Sequence, residues 1–214
     1  MGSEGYWVLM IKQLFLATTN ANKLEEFQNI LGQKYDVKTL LDIKQFLDSE
    51  IEDIEETGAT FIENALIKAR TLSELLQKPA LGDDSGLEIL ALDNFPGIYS
   101  ARWIDTTDGF IQASNVILEK MINIKFRDCR YVCALALVDV TKNIEKVFVG
   151  SLNGLIHSER QGNYGFGYDA IFYLPEYKKT LGEMTAQEKN QISHRTIAIQ
   201  KMVNWINKEN NNEY

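Results

Sequence analysis

The chain has 214 residues, of which 45% are hydrophobic and 24% charged, as in ordinary globular proteins and unlike disordered or collagen-like chains. Its 22 Lys and Arg against 30 Asp and Glu give a net charge of −8 with no Lys/Arg-rich block, so we expect no binding to nucleic acid. No apolar run approaches the roughly 18 to 20 residues of a membrane span, and residues 1–10 lack a secretory signal, so we expect a soluble, cytoplasmic protein.

The first predicted elements are a strand and a helix joined by a polar loop. Residues 8–17 are apolar enough to form a buried strand. Asn20 or Asn22 can then cap a helix whose apolar residues share one face and which Gly32 ends.

A second helix is predicted to begin at Thr60, because Thr60 and Glu63 match the S/T-x-x-E capping box, and to end before Pro79. Strand patterns follow at residues 80–81 and 87–92. We expect an acidic, glycine-flanked turn between these two strands.

The second half of the chain reads as a helix, a hairpin, a strand and a helix. Apolar residues recur at helical spacing over residues 110–124. Residues 131–140 and 146–151 predict two strands of a hairpin, residues 169–174 a further strand, and residues 197–206 the apolar face of a C-terminal helix.

These elements predict an α/β fold with a mixed central sheet flanked by helices and two lobes around a cleft. We expect a single domain over residues 1–214, with an ordered core of about 12–208. Cys129 and Cys133 form neither a CxxC pair nor a zinc set, so we expect two buried core residues in a reducing compartment.

Two adjacent carboxylates, Asp83 and Asp84, stand in the segment LGDDSGL. Such a pair by itself is typical of a solvated turn. If the chain is extended there, the two side chains alternate in direction, and only one faces the cleft. A carboxylate beside a second acid and a cation can also accept a proton in catalysis.

The loop TTNANK after the first strand contains phosphate-binding groups but does not match the P-loop pattern. Thr18 and Asn20 offer side-chain hydrogen bonds, the helix offers free N–H groups, and Lys23 adds a charge. The alternative is a capped helix with a surface lysine. Lys68, one turn after Asn64, either reaches a phosphate or is a solvated helix lysine.

A glycine-rich segment, GNYGFGYD, precedes the last predicted strand. Its glycines at 162, 165 and 167 do not match the dinucleotide fingerprint G-x-G-x-x-G. Phe166 and Tyr168 lie between and after these glycines, and an aromatic face can stack on a purine where glycine lets the backbone approach closely.

Six segments occur in order between Leu14 and about Trp205: LFLATTNANKLEEF, EETGATFIENALIKAR, ALGDDSGLEI, FPGIYSARW, GNYGFGYDAIF and EKNQISHR. Together they resemble the inosine triphosphate pyrophosphatase family, also called XTP/dITP diphosphatases. The resemblance implies Mg²⁺-dependent hydrolysis of ITP, dITP and XTP to a monophosphate and pyrophosphate, by water attack at the α-phosphorus. It also implies a nucleotide-binding cleft and a homodimer.

The resemblance assigns roles to the acidic residues. It makes Asp84 the general base and a metal ligand, and either Glu55 or Glu56 the second Mg²⁺ ligand. Ser85 is expected to touch the substrate.

The resemblance also assigns the base pocket. Phe166 to Asp169 are expected to surround the base, and Lys189, His194 and Arg195 to lie around phosphate and base, with Arg195 donating to a 6-oxo purine oxygen. Thr19 stands where the family commonly has glycine. The predicted substrate-binding residues are Thr18, Thr19, Asn20, Ala21, Asn22, Lys23, Lys68, Ser85, Phe166, Gly167, Tyr168, Asp169, Lys189, His194 and Arg195.

Two other functional classes stay open at this point. A nucleotide-sensing module would bind without turnover and has no need of a carboxylate base. A scaffold protein with incidental motif matches would show no thermal shift with nucleotides.

Overall fold

The computed structural model describes residues 13–44 and 54–211, and these contain eight strands and seven helices linked by turns and short 3₁₀ segments. Residues 8–12 of the first predicted strand, and both ends of the predicted domain, lie outside the described residues. The elements are β1 Gln13–Leu16, α1 Ala21–Leu31, β2 Asp36–Thr39, α2 Leu40–Lys44, α3 Phe61–Leu76, β3 Ala80–Ile89, β4 Phe95–Pro96, α4 Ser100–Thr106, α5 Phe110–Lys120, β5 Asp128–Asp139, β6 Ile144–Ile156, β7 Phe172–Leu174, β8 Lys179–Thr180, α6 Ala186–Ile192 and α7 His194–Asn211.

The strands form one mixed sheet in the order β2-β1-β3-β5-β6-β7-β8, and β4 pairs with the end of β3. Strand β1 is parallel to both β2 and β3, whereas the remaining pairs are antiparallel. The predicted mixed sheet flanked by helices is therefore confirmed.

Strand β3 corrects the prediction of an acidic turn. The chain runs as one strand from Ala80 to Ile89 and pairs with β5 along this whole length, so both aspartates lie inside a strand. The strand predicted to reach residue 92 ends at Ile89, and residues 90–92 form a 3₁₀ turn.

The glycines of this segment allow close packing and do not make a turn. A Cβ on Gly82 would lie 2.0 Å from the carbonyl oxygen of Ala65 in α3, and one on Gly86 would lie 2.3 Å from the carbonyl oxygen of Gly97. Glycine is therefore required where α3 and the turn before α4 touch the strand.

Helices cover both faces of the sheet. Helix α3 packs on small residues of β5, including Ala134 and Ala136, while α1 and α7 pack on the opposite face around Leu81 and Leu135. Because side chains alternate along a strand, consecutive residues of β3 face either α3 or the α1 and α7 pair.

Strand β3 has one partly open edge. On the side away from β5, strand β1 pairs only with Ala80 and Leu81, and β4 pairs only with Glu88 and Ile89. Within the described residues, the edge between these two pairings has no strand partner, and a cleft opens there.

Several strands and helices begin or end at other residues than predicted. The predicted hairpin is confirmed but longer, because β5 and β6 pair from Asp128 opposite Leu155 to Asp139 opposite Ile144. Helix α5 ends at Lys120, short of residue 124. The strand predicted from residue 169 begins at Phe172, after a 3₁₀ turn over Asp169–Ile171.

Both cysteines are buried and free, as expected, and burial raises the pKa of each thiol. Among the helices of residues 13–44 and 54–211, none has the length and apolar character that crossing a membrane requires.

Candidate active site

A cavity of about 240 Å³ opens along the unpaired edge of β3. It brings together most of the predicted site residues, although they come from five separate parts of the sequence. The predicted residues that line it are Asn20, Lys23, Glu56, Asp84, Ser85, Phe166, Gly167, Tyr168, Asp169, Lys189, His194 and Arg195.

The adjacent aspartates point to opposite faces of β3. Asp83 faces α1 and α7, where it contacts Lys23 and Arg195. Asp84 faces α3, where it contacts Asn64, and of the two it is Asp84 that lines the cavity. The predicted alternation of the two carboxylates is confirmed.

Asp84 is buried with incomplete charge compensation. Asn64 donates a hydrogen bond from Nδ2 to Asp84 Oδ2 at 3.0 Å, while the ammonium of Lys68 lies 3.7 Å from Oδ1. Burial raises the pKa of Asp84, Lys68 opposes this rise, and the negative charge of Glu56 adds to it. Asp84 is therefore held at the cavity as a carboxylate with raised proton affinity.

Lys68 lies between the two acids of this region. Its ammonium is 2.5 Å from Glu56 Oε1, and its side chain is buried. The solvated alternative for Lys68 is therefore wrong. Glu56 lines the cavity, whereas Glu55 is exposed and does not.

Asp83 is fully compensated by cations. Lys23 Nζ lies 2.5 Å from Oδ1, and Arg195 Nε donates to Oδ2 at 3.2 Å. Burial alone would raise the pKa of Asp83, but Arg195 and Lys23 hold it well below its ordinary value.

The loop before α1 forms a helix cap at the mouth of the cavity. Asn20 accepts from the backbone N–H groups of Asn22 and Lys23, so two N–H groups expected to be free for phosphate are already bonded. Thr18 is buried and accepts from the Asn20 N–H. Of the loop, Asn20 and Lys23 line the cavity, whereas Thr18, Thr19, Ala21 and Asn22 do not.

The glycine-rich segment supplies an aromatic wall at the other end. Phe166 is half-buried, and the ammonium of Lys189 lies 4.5 Å from its ring centroid. Tyr168 lines the cavity, but its ring is only 2% exposed and its hydroxyl donates to the carbonyl oxygen of Ser100. Of these two aromatic residues, Phe166 is the more exposed.

Glu26 joins the cations at this end. Its carboxylate contacts Lys189 at 2.8 Å and also pairs with Arg195. Burial alone would raise the pKa of Glu26, but Arg195 and Lys189 lower it to about 2. Lys189 also lies 2.6 Å from Asp169, and although burial lowers its pKa, Asp169 and Glu26 raise it overall.

Arg195 is 1% exposed, and most of its donors bond within the protein. Four of the five N–H groups that an arginine carries bond to Asp83, Glu26 and Ser85. Nε and Nη2 of the guanidinium therefore donate to Asp83, and the guanidinium does not present both donors to a purine oxygen.

His194 is neutral and stacks on Tyr131, with ring centroids 4.7 Å apart. Burial lowers its pKa to about 3, and Arg195 adds to the effect. Within the described residues, its Nδ1 has no hydrogen-bond partner.

Two polar residues of the site were not predicted from the sequence. Glu26 lies one turn after Lys23 on α1, and Asn64 lies one turn before Lys68 on α3. Both spacings place the residue on the same helix face as a lysine that the sequence already predicts for the site. This spacing is the sequence signal that identifies them.

The carboxylates of Asp84 and Glu56 fit a magnesium ion that is bound together with a substrate. In the part of the chain that the structure describes, no three His, Cys, Asp or Glu residues form a metal-binding group. Mg²⁺ commonly uses only one or two carboxylates, with waters and substrate phosphates as its other ligands. Asp84 and Glu56, joined through Lys68, match that donor set.

The same segments that line this cavity fall within a family match. The family model for the Ham1 family matches residues 14–205. The chain belongs to the Ham1 family. Its curated relatives include the dITP/XTP pyrophosphatase of Halalkalibacterium halodurans, 43% identical over 92% of this chain and 100% of the relative, and that of Bacillus subtilis, 41% identical over 91% and 97%.

Solved structures agree with this family membership. The Ham1 protein of Staphylococcus aureus superposes with a TM-score of 0.81 at 35% identity, covering 92% of this chain and 100% of that protein. A HAM1 protein from Coxiella burnetii gives a TM-score of 0.81 at 36% identity over 92% and 98%. The fold predicted for this Ham1-family chain is thus found in its relatives.

Proposed function

We propose that this Ham1-family chain hydrolyses non-canonical purine nucleoside triphosphates, ITP, dITP and XTP, to a monophosphate and pyrophosphate. Relatives about 40% identical over most of the chain are named dITP/XTP pyrophosphatases, and none of them supports a sensor without turnover. The observation that carries the proposal is the position of Asp84, a buried carboxylate with a raised pKa at the edge of the cavity.

The two ends of the cavity suggest how the substrate lies. Lys23 and the N-terminus of α1 attract phosphate at one end, because a cation and the helix dipole both favour negative charge. Phe166 offers a ring for the base at the other end. Asp84 lines the same cavity and accepts the proton of the attacking water.

Base selection follows from the buried polar groups near Phe166. Within the described residues, Arg195 keeps one N–H donor beyond its four internal bonds, and we infer that this donor reaches the 6-oxo oxygen of the purine. An adenine amino group cannot accept that bond. A site built to bond a substrate group can reject analogues that lack it by about 10⁴ to 10⁵.

Magnesium is part of the proposal. Asp84 and Glu56 would hold it, and Glu55 would not, because Glu55 is exposed and away from the cavity. When bound, the ion supplies positive charge that neutralises the triphosphate. A homodimer and a cytoplasmic location, both expected from the resemblance or the composition, remain parts of the proposal.

The test is a panel of triphosphates with pyrophosphate and phosphate release measured separately in Mg²⁺. We expect pyrophosphate as the product, with a far higher kcat/KM for ITP, dITP and XTP than for ATP. Equal kcat/KM for ITP and ATP would contradict the proposed selectivity. Binding of ITP without any turnover would instead favour the sensor.

A further inference from the structure

Asn64 is completely buried in the first turn of α3, and its side-chain amide bonds in two directions. Its Nδ2 donates to Asp84 Oδ2 at 3.0 Å, and its Oδ1 accepts from the backbone N–H of Gly58 at 2.8 Å. The carboxylate at the cavity edge and the loop before α3 are thus tied to one side chain.

The loop held by Asn64 carries the second acid of the site. Glu56 precedes Gly58 by two residues and reaches Lys68 at 2.5 Å. A Cβ on Gly58 would lie 2.7 Å from Asn64 Oδ1 and 2.6 Å from the Cβ of Glu63, so only glycine fits this contact. The loop is therefore pressed against the start of α3 directly at Asn64.

The two bonds require an amide at position 64. One end must donate to a carboxylate and the other must accept from a backbone N–H, and the short, uncharged amide of Asn does both on one planar group. An aspartate would keep the bond to Gly58 but would turn a second negative charge towards Asp84. A leucine would lose both bonds and leave the Gly58 N–H unpaired.

We propose that Asn64 is a positioning residue that fixes the orientation of Asp84 and, through Gly58, the distance between Asp84 and Glu56. The other oxygen of Asp84 accepts from the Ser85 N–H at 3.1 Å, so the carboxylate is held at both oxygens. Asn64 does not line the cavity, so its loss misplaces the reacting carboxylate without removing a substrate contact. This inference rests on the proposed function and assigns a supporting role within the same site.

The experiment compares Asn64→Leu and Asn64→Asp with a matched control, Ser73→Ala. Ser73 is equally buried on the same helix, but its hydroxyl bonds to Lys78 and Val140, away from the cavity. We expect both Asn64 variants to lower kcat for ITP by about 10- to 100-fold, the usual cost of losing a supporting hydrogen bond around an active site, with little change in KM. We expect Ser73→Ala to lower the melting temperature while kcat per folded molecule stays unchanged.

A double-mutant cycle separates positioning from stability. In the Asp84→Asn background, Asn64→Leu should cause almost no further loss of kcat, because the group it positions no longer acts as a base. Calorimetric binding of ITP without metal provides a readout that does not depend on turnover, and we expect it to be similar in wild type and both Asn64 variants. Should Asn64→Leu fail to fold, Gly58→Ala, which displaces the amide without removing it, takes its place in the same cycle.

The outcomes keep the two proposals apart. If the wild type releases no pyrophosphate from ITP, the proposed function fails first. If the wild type is active and Asn64→Leu keeps its kcat, or lowers kcat equally in the Asp84→Asn background, the positioning role is overturned while the activity stands.

Discussion

Asp83 and Asp84 are neighbours in one strand, yet they lie in different surroundings on its two faces. Asp83 contacts two cations, Lys23 and Arg195, and its pKa is held well below the ordinary value. Asp84 has one cation at 3.7 Å, a second acid nearby, and a raised pKa. Identical side chains therefore have different chemistry because alternate residues of a strand face different partners.

The contrast separates a structural carboxylate from a reactive one. A fully paired carboxylate such as Asp83 has little tendency to take up a proton, and its loss would remove one of the carboxylates that compensate Lys23 and Arg195. An under-compensated carboxylate at a cavity edge can accept a proton from water.

Replacing the reactive carboxylate should have the largest effect. We expect Asp84→Asn to lower kcat for ITP by about 10² to 10⁴, because it removes a proton acceptor while preserving shape. ITP binding should stay measurable by calorimetry. The division would be reversed if Asp84→Asn stayed active and Asp83→Asn were fully folded but inactive.

Replacing the paired carboxylate should act on stability. We expect Asp83→Asn to lower the free energy of unfolding by about 3 to 5 kcal/mol, because it removes the carboxylate that pairs with Lys23 and leaves Arg195 with Glu26 as its remaining carboxylate partner. Urea unfolding measures the loss. The control is Glu145→Gln, which breaks the exposed ion pair with Arg70 and should cost at most about 1 kcal/mol.

The two cations that pair with Asp83 should differ in their effect on substrate choice. Lys23→Ala should lower kcat/KM for ITP and ATP by similar factors, since the phosphates that Lys23 attracts are common to both. Arg195→Ala should lower the ITP/ATP ratio of kcat/KM, since only ITP offers a 6-oxo acceptor. The ratio within one variant is independent of its folded fraction, so loss of stability alone does not change it.

An unchanged ratio in Arg195→Ala would show that Arg195 is either a phosphate ligand or a structural residue held by its four internal bonds. Base selection would in that case come from Phe166 to Asp169.

Much of the fold could be predicted because local signals were strong. The capping box of Thr60 and Glu63, the Asn20 cap and the β5–β6 hairpin all appear in the structure. These features depend on hydrogen bonds and apolar spacing within a few residues, which the sequence shows directly.

The prediction of an acidic turn is wrong because the glycines of this segment allow other elements to pack closely against a strand. Gly82 and Gly86 resemble turn residues in sequence, but they admit α3 and the turn at Gly97 against an extended strand. Likewise, nothing local shows that Arg195 would meet Glu26, 169 positions away in the chain. Contacts of this kind are fixed by the packing of whole elements, so pattern and spacing cannot supply them.

The smallest predicted effect is on the pH dependence of stability, and it comes from His194. This residue lies beside the ion pairs of Asp83 and is neutral in the folded protein. Its charged neighbours are Arg195, Glu26, Lys189 and Asp83, and burial with Arg195 lowers its pKa from 6.5 to about 3. The unfolded chain therefore binds a proton at pH 5 that the folded chain does not. Stability from this group is complete above pH 6.5 and is lost as the pH falls towards 3, with a slope approaching about 1.4 kcal/mol per pH unit.

Urea unfolding between pH 7 and 5 measures that slope, and His194→Phe should remove it while keeping a ring against Tyr131. His157→Phe, which changes the other histidine, is the control and should leave the slope in place. The lowered pKa of Glu26 acts with the same sign only below about pH 4.5, so Glu26 does not contribute to the slope between pH 7 and 5. If His194→Phe kept the wild-type slope between pH 7 and 5, His194 would not be neutral in the folded protein. The charges around Asp83 would then be less completely paired than its contacts indicate.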